Sequence, residues 1–175
     1  MTPIEIRILT SNDAAQYRRV RLESLEREPA AFGSSPEDHR KLSEQEIRQR
    51  IAADCSEHFV LGAFADGELV GTAGFARLTN RKERHRGRIW GVYLQAERRG
   101  QGIGRRLMDL LLEQVRAIDG LEQILLSVTL EQAAAAALYR SLGFTPWGRE
   151  IRALRLDDRY IDEEHMVLWL AKSGQ

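Results

Sequence analysis

Several things are scarce in this chain, and each scarcity narrows its chemistry. Cysteine occurs once in 175 residues, as Cys55. A lone cysteine makes no intrachain disulfide, and such low usage suits a reducing compartment. The four histidines, His39, His58, His85 and His165, lie far apart in sequence, so none has metal-ligand spacing and no metal is expected. There is no excess of either charge: Lys plus Arg and Asp plus Glu both number 26. That balance argues against a general nucleic-acid binder. No stretch approaches the ~20 consecutive apolar residues that span a bilayer. The opening "MTPIEIRIL" carries charges where a secretory signal needs an apolar run. The expectation is a cytoplasmic protein with no nucleic-acid or membrane partner. Linkers, repeats and low-complexity tracts are missing too. With 43% hydrophobic residues the chain can bury one core but hardly two, which predicts a single domain over residues 1–175.

What is present reads as alternating strands and helices. "IEIRIL" alternates like a strand, and Asn12 or Asp13 can cap a helix running to about Arg27. "EPAAFGSSPEDH" has the prolines, glycine and serines of a loop. Ser43 with Glu46 three residues on is a capping box that starts a second helix. "HFVLGAF" and "ELVGTAGFARL" flank the turn "ADG" as a hairpin. "RIWGVYLQ" is the next strand. A helix follows from about Gly102 to Ile118, with Ile103, Leu107, Leu110, Leu111 and Val115 on one face. "QILLSVT" is a mostly apolar strand, buried on both faces. The helix "EQAAAAALYRSL" is closed by Gly143. Two strands around a turn at Asp157 and Asp158 finish the chain. The order β-α-α-β-β-β-α-β-α-β-β predicts an α+β or α/β domain.

The stretch "RRGQGIGRRLM", residues 98–108, sits where a strand ends and a helix begins. The first turn of a helix has amides without intrahelical partners, and the helix dipole adds positive charge there. Glycines let a ligand approach those amides. Arg98, Arg99, Arg105 and Arg106 face one nearby acid, Glu97. Together they predict a cradle for a phosphorylated anion. A P-loop needs lysine and then serine or threonine after the last glycine, and Arg105–Arg106 stands there instead. A dinucleotide fingerprint needs a glycine where Arg105 stands. A tight turn with surface arginines is the bland alternative.

Arg99–Gly100–Gln101–Gly102–Ile103–Gly104 resembles the Arg/Gln-x-x-Gly-x-Gly/Ala signature of the GNAT superfamily, the Gcn5-related N-acetyltransferases. "ALYRSLGF" resembles that family's next motif, and the element order is similar to the family's fold. The likeness is strongest from Arg88 to Phe144 and extends over nearly the whole chain. It implies a mixed central sheet with splayed strands, flanked by helices. It also implies acetyl-CoA as cosubstrate, held between "RIWGVYLQ" and "QILLSVT". On that resemblance the segment from Gly100 to Arg105 receives the pyrophosphate, with the Arg99 and Arg105 side chains nearest phosphate. Val92 and Leu94 bind the pantetheine arm through their backbones, and the Val92 amide steadies the oxyanion. Tyr139 protonates the leaving thiolate, and Arg140 reaches toward the phosphates. Gln132 stands where the family usually has asparagine. Arg88 stands where the histone-acetylating branch has its glutamate base, and arginine cannot serve as one.

The resemblance predicts an N-acetyltransferase acting by direct attack of an amine, with a small-molecule acceptor as the first reading. A protein or peptide acceptor is the second, and a non-catalytic acyl-CoA-binding domain the rival. Candidate bases are Glu37, His85 and Glu150. The acceptor is expected between "EPAAFGSSPED" and residues 145–162, near Phe32, Ser34, Ser35 and Glu37. Asp38, Asp162, Glu163 and Glu164 are further acids that could draw in a cationic amine. Trp90, Trp147 and Trp169 read as core or interface aromatics, and the apolar closing strands allow a homodimer.

Overall fold

The structure, a computed structural model, describes residues 3–170. The alternating segment forms β1 (Ile4–Ile8), and the hairpin forms β2 (His58–Ala65) and β3 (Glu68–Arg77). Strand β4 (Arg86–Leu94) starts two residues earlier than its sequence pattern suggests. The remaining strands are β5 (Gln123–Thr129), β6 (Thr145–Leu156) and β7 (Arg159–Trp169). They make one sheet in the order β1-β2-β3-β4-β5-β7-β6. Neighbours run antiparallel except β4 and β5, which are parallel.

Among the described residues there are five α-helices: α1 (Ala14–Arg27), α2 (Pro36–Lys41), α3 (Glu44–Ile51), α4 (Ile103–Arg116) and α5 (Ala133–Ser141). On one face Leu107, Met108, Leu111 and Val115 of α4 and Tyr139 of α5 pack with Phe59, Leu61, Phe75, Leu126 and Val128. On the other, Tyr17 and Val20 of α1 and Ile47 and Ile51 of α3 pack with Val60, Phe64, Leu69 and Tyr93. Each such fully buried side chain contributes about 1.5–3 kcal/mol. The strand alternation assigns successive residues of β2 to opposite faces.

Three local expectations need correction. The segment read wholly as loop contains α2, because Ser35 caps it from Asp38 N and Pro36 occupies the first helical turn, where proline costs no hydrogen bond. It also holds a 3-10 turn at Pro29–Ala31. Asp13 does not cap α1. Its carboxylate instead takes two hydrogen bonds from Arg7, at 2.7 and 2.8 Å, and one from Thr10 N at 2.7 Å. Strand β5 is mostly buried as expected, with Ser127 exposed. The Ser43–Glu46 capping box is present as read.

Candidate active site

Strands β4 and β5 pair over three residues only, the last being Arg88 with Leu125. Beyond that point they separate. A bulge lies in the separated part of β4: Thr72 pairs with Tyr93 but Gly74 with Trp90, so Gly91 and Val92 together oppose Ala73. Gly91 has φ +60, which side-chain-bearing residues rarely adopt, and Thr72 Oγ1 donates to its carbonyl at 3.0 Å. The fork opens into two adjoining cavities. One of about 310 Å³ lies on the α4/α5 side. The other, about 80 Å³, runs between the strands past Phe32, Trp90 and Ser127. Val92, Gln132 and Tyr139 line both.

The larger cavity gathers most of the residues named from the glycine motif: Val92, Leu94, Arg99, Gly100, Gly102, Ile103, Gly104 and Arg105 all border it. Gly102 is the N-cap of α4 with φ +76, and a Cβ there would touch nothing within 4 Å. The backbone conformation, rather than crowding, demands glycine. The first helical bond runs from Arg106 N to Gly102 O at 3.1 Å, so the amides before it have no acceptor within the helix.

The arginines are arranged differently from the sequence expectation. Arg99 pairs with Glu28 and gives Nε to the Leu94 carbonyl at 2.9 Å. Arg105 turns along α4 to Asp109, at 3.0 Å, and Arg106 reaches the Ile4 carbonyl at 3.3 Å. Gln101 bonds the Glu97 carbonyl at 3.2 Å and lies outside both cavities. Arg140 is a correction of the same kind: it pairs with Glu164 and borders neither cavity. What the helix start offers the larger cavity is thus mainly backbone, with Arg99 on its lining held by Glu28.

Tyr139 is 6% exposed and stands edge-on to Phe144 at 6.0 Å. Its hydroxyl has no hydrogen-bond partner among the described residues. Burial pushes its pKa up, so the phenol stays protonated and able to donate. Gln132, the N-cap of α5, makes no side-chain capping bond, which leaves its amide to the cavity.

On the opposite side Phe32 is shared between the small cavity and a third of about 280 Å³. The third is lined by Ser34, Ser35 and Glu37 against Leu154, Leu156 and Ile161. The expected acceptor segments are therefore brought together. Other candidates are not. His85 sits at the far end of β4, where its carbonyl accepts from Glu122 N at 2.7 Å. Asp162 is bound to Arg149 at 2.6 Å, and Asp38 to Lys41 at 3.3 Å. Trp90 borders the small cavity, but Trp147 and Trp169 are 60% and 65% exposed rather than core.

Sequence reasoning passed over five residues here. Gly91 makes the bulge, and Glu28 holds Arg99. Ser127 and His165 are hydrogen-bonded partners across β5 and β7, 38 positions apart, with no motif to connect them. Arg21 of α1 is buried with no carboxylate partner among the described residues; its guanidinium lies 4.5 Å over the Phe32 ring, and burial lowers its pKa.

Comparisons with known proteins agree with this geometry. A family model described as the Acetyltransferase (GNAT) family matches residues 20–144. The chain is 30% identical over 126 residues to a mycothiol acetyltransferase of Paenarthrobacter aurescens, covering 70% of this chain and 38% of that protein. It is 37% identical over 107 residues to the N-alpha-acetyltransferase RimI of Mycobacterium tuberculosis, covering 61% of this chain and 64% of that one. The match thus spans less than two thirds of either relative's length. Among solved structures, a phosphinothricin acetyltransferase of Sinorhizobium meliloti in complex with acetyl-CoA superposes with a TM-score of 0.82 at 24% identity. That superposition covers 98% of this chain and 90% of that one.

Proposed function

Because the chain belongs to the GNAT acetyltransferase family, we propose that it transfers the acetyl group of acetyl-CoA to a primary amine by direct attack. The observation that carries this reading is the fork between β4 and β5. It joins a glycine-rich helix start on one side to a separate cavity on the other, with Val92 and Tyr139 at the junction.

In this reading the amides at the start of α4 receive the CoA pyrophosphate. The pantetheine arm lies along the unpaired edge of β4, at Val92 and Leu94. The acetyl group reaches the bulge at Gly91–Val92. There the Val92 amide stabilises the charge that builds on the carbonyl oxygen as the amine attacks. Tyr139 gives its proton to the departing thiolate. The third cavity beside Phe32 matches a small molecule in size, which favours a small amine over a protein terminus as acceptor. An amine of mycothiol chemistry and a peptide α-amine, the acceptors that the two relatives' names suggest, are the specific candidates to try. The reading includes one domain over residues 1–175, a cytoplasmic location, and a homodimer formed at the outer edge of the sheet through β6.

The test compares wild type with Gly102→Glu and Tyr139→Phe. Calorimetry reads acetyl-CoA affinity. Free-thiol release with a panel of an amino acid, an amino sugar, a polyamine and an alanine-initiated peptide reads turnover. Gly102→Glu should abolish binding with the fold intact by circular dichroism. Tyr139→Phe should bind as wild type and lose kcat by about 10²-fold or more. Wild-type binding without turnover of any amine would leave a binding module instead.

A further inference from the structure

We infer that Ser127, His165 and Glu150 form the base of this site, a relay that carries the acceptor's proton from the cleft to solvent. The inference rests on the acetyl-transfer reading above. Ser127 lies two residues past the last β4–β5 pair and lines the small cavity together with Val92 and Tyr139. Its cross-strand partner on β7 is His165, so the two side chains share a face. Ser127 Oγ stands 2.7 Å from His165 Nδ1, and His165 Nε2 stands 3.0 Å from Glu150 Oε2. Trp147 stacks on the imidazole, with centroids 5.3 Å apart. The ring is therefore held at both nitrogens and on one face. Exposure rises along the series from histidine to acid: the His165 side chain is 23% exposed and that of Glu150 57%.

Chemistry fixes the direction of the bonds. An ionised carboxylate accepts only, so Nε2 carries the hydrogen and donates to Glu150. Nδ1 then has its lone pair toward Ser127 and accepts from the hydroxyl. This is the state of a base ready to act. Two carboxylates face the ring, Glu150 on β6 and Glu163 on β7, with oxygens within 4.8 Å of an imidazole nitrogen, and Arg88 on β4 acts on Glu163. Glu28 stands beyond them on the rim of the small cavity, before the turn at Pro29–Ala31.

The protons balance as follows. The acceptor ammonium gives one proton to Ser127 Oγ while the hydroxyl proton moves to His165 Nδ1. The imidazolium is steadied by Glu150 and releases that proton to water. The freed lone pair forms the N–C bond to the acetyl carbon. As the tetrahedral intermediate collapses, the C–S bond breaks and Tyr139 protonates the thiolate. The nitrogen's second proton restores the phenol. One proton leaves per amide made.

The test is a pH profile of kcat/KM for wild type, Ser127→Ala, His165→Gln and Glu150→Gln, using the amine that turns over in the panel above. At neutral pH, His165→Gln and Ser127→Ala should each lose about 10²-fold, and Glu150→Gln less. The losses should shrink as pH rises past the amine's own pKa, where the ammonium no longer needs a base. Acetyl-CoA affinity should not change in any of them. Variant profiles parallel to wild type at every pH would overturn the relay while leaving acetyl transfer standing. Mass spectrometry showing an acetyl group on Ser127 would overturn it too, by making the serine a nucleophile. A wild type that binds acetyl-CoA and acetylates nothing would remove the reading beneath it.

Discussion

Asp13 shows how a single side chain can be read correctly as polar and placed wrongly. It is 7% exposed and sits against the Arg7 guanidinium, whose hydrogen bonds hold its pKa at about 2, well below 3.8. A depressed folded-state pKa adds stability above the unfolded value and loses it as pH falls through the folded one. The stabilisation should therefore be complete above pH 3.8 and fade toward about 2. Because the Arg7 side chain is 38% exposed, solvent screens the pair, and Asp13→Asn should cost on the order of 1–2 kcal/mol near neutral pH. Urea unfolding across that pH range would show the gap between wild type and variant closing as pH falls, on top of the loss both share through other hydrogen-bonded carboxylates such as Glu46 and Glu57. The sequence offered Asp13 as a cap because its position fits one. Only the folded turn between β1 and α1, where Asp13 N donates to the Thr10 carbonyl at 2.9 Å, brings Arg7 to it. Tyr139 is the opposite case. Its motif named it, and the fold then buried it where a phenol stays protonated.

Among elements, the start of α3 was legible to the residue. Ser43 Oγ accepts from Glu46 N at 3.2 Å, and the Glu46 carboxylate returns to Ser43 N at 2.7 Å. Ser43→Ala should cost about 1 kcal/mol, seen as a lower urea midpoint with an unchanged slope. The signal is legible because both partners lie within one turn. Helix α4 was legible for the same reason, from its apolar spacing and its glycine start. Helix α2 was not: six residues carry too little periodicity to outweigh the prolines and serines around them. The bulge in β4 was hidden as well. A glycine inside a strand pattern does not say whether it bends the strand or only makes room. The register against β3 decides that.

At the scale of the whole molecule, β6 is one of the two edge strands of the sheet, β1 being the other. Trp147 on β6 is 60% exposed and Ile151 74%, with Trp169 of β7 at 65%. Apolar side chains on an open edge favour association. Sedimentation should find a dimer in the wild type and a monomer in Ile151→Lys, with circular dichroism unchanged. The sequence by itself determined the order of the strands and of every helix but α2, the apolar faces, and the glycine-rich helix start with Tyr139 after it. Each of these is set by residues close together in the chain, through hydrogen bonds and side-chain periods that act over a few positions. Only the tertiary structure decided where β4 leaves β5, which arginines face the cradle, and that Ser127 meets His165. Those depend on strand register and on competition between distant charges, as when Glu28 takes Arg99 and Glu164 takes Arg140. No local pattern carries such contacts, because what selects them is the packing of the whole sheet.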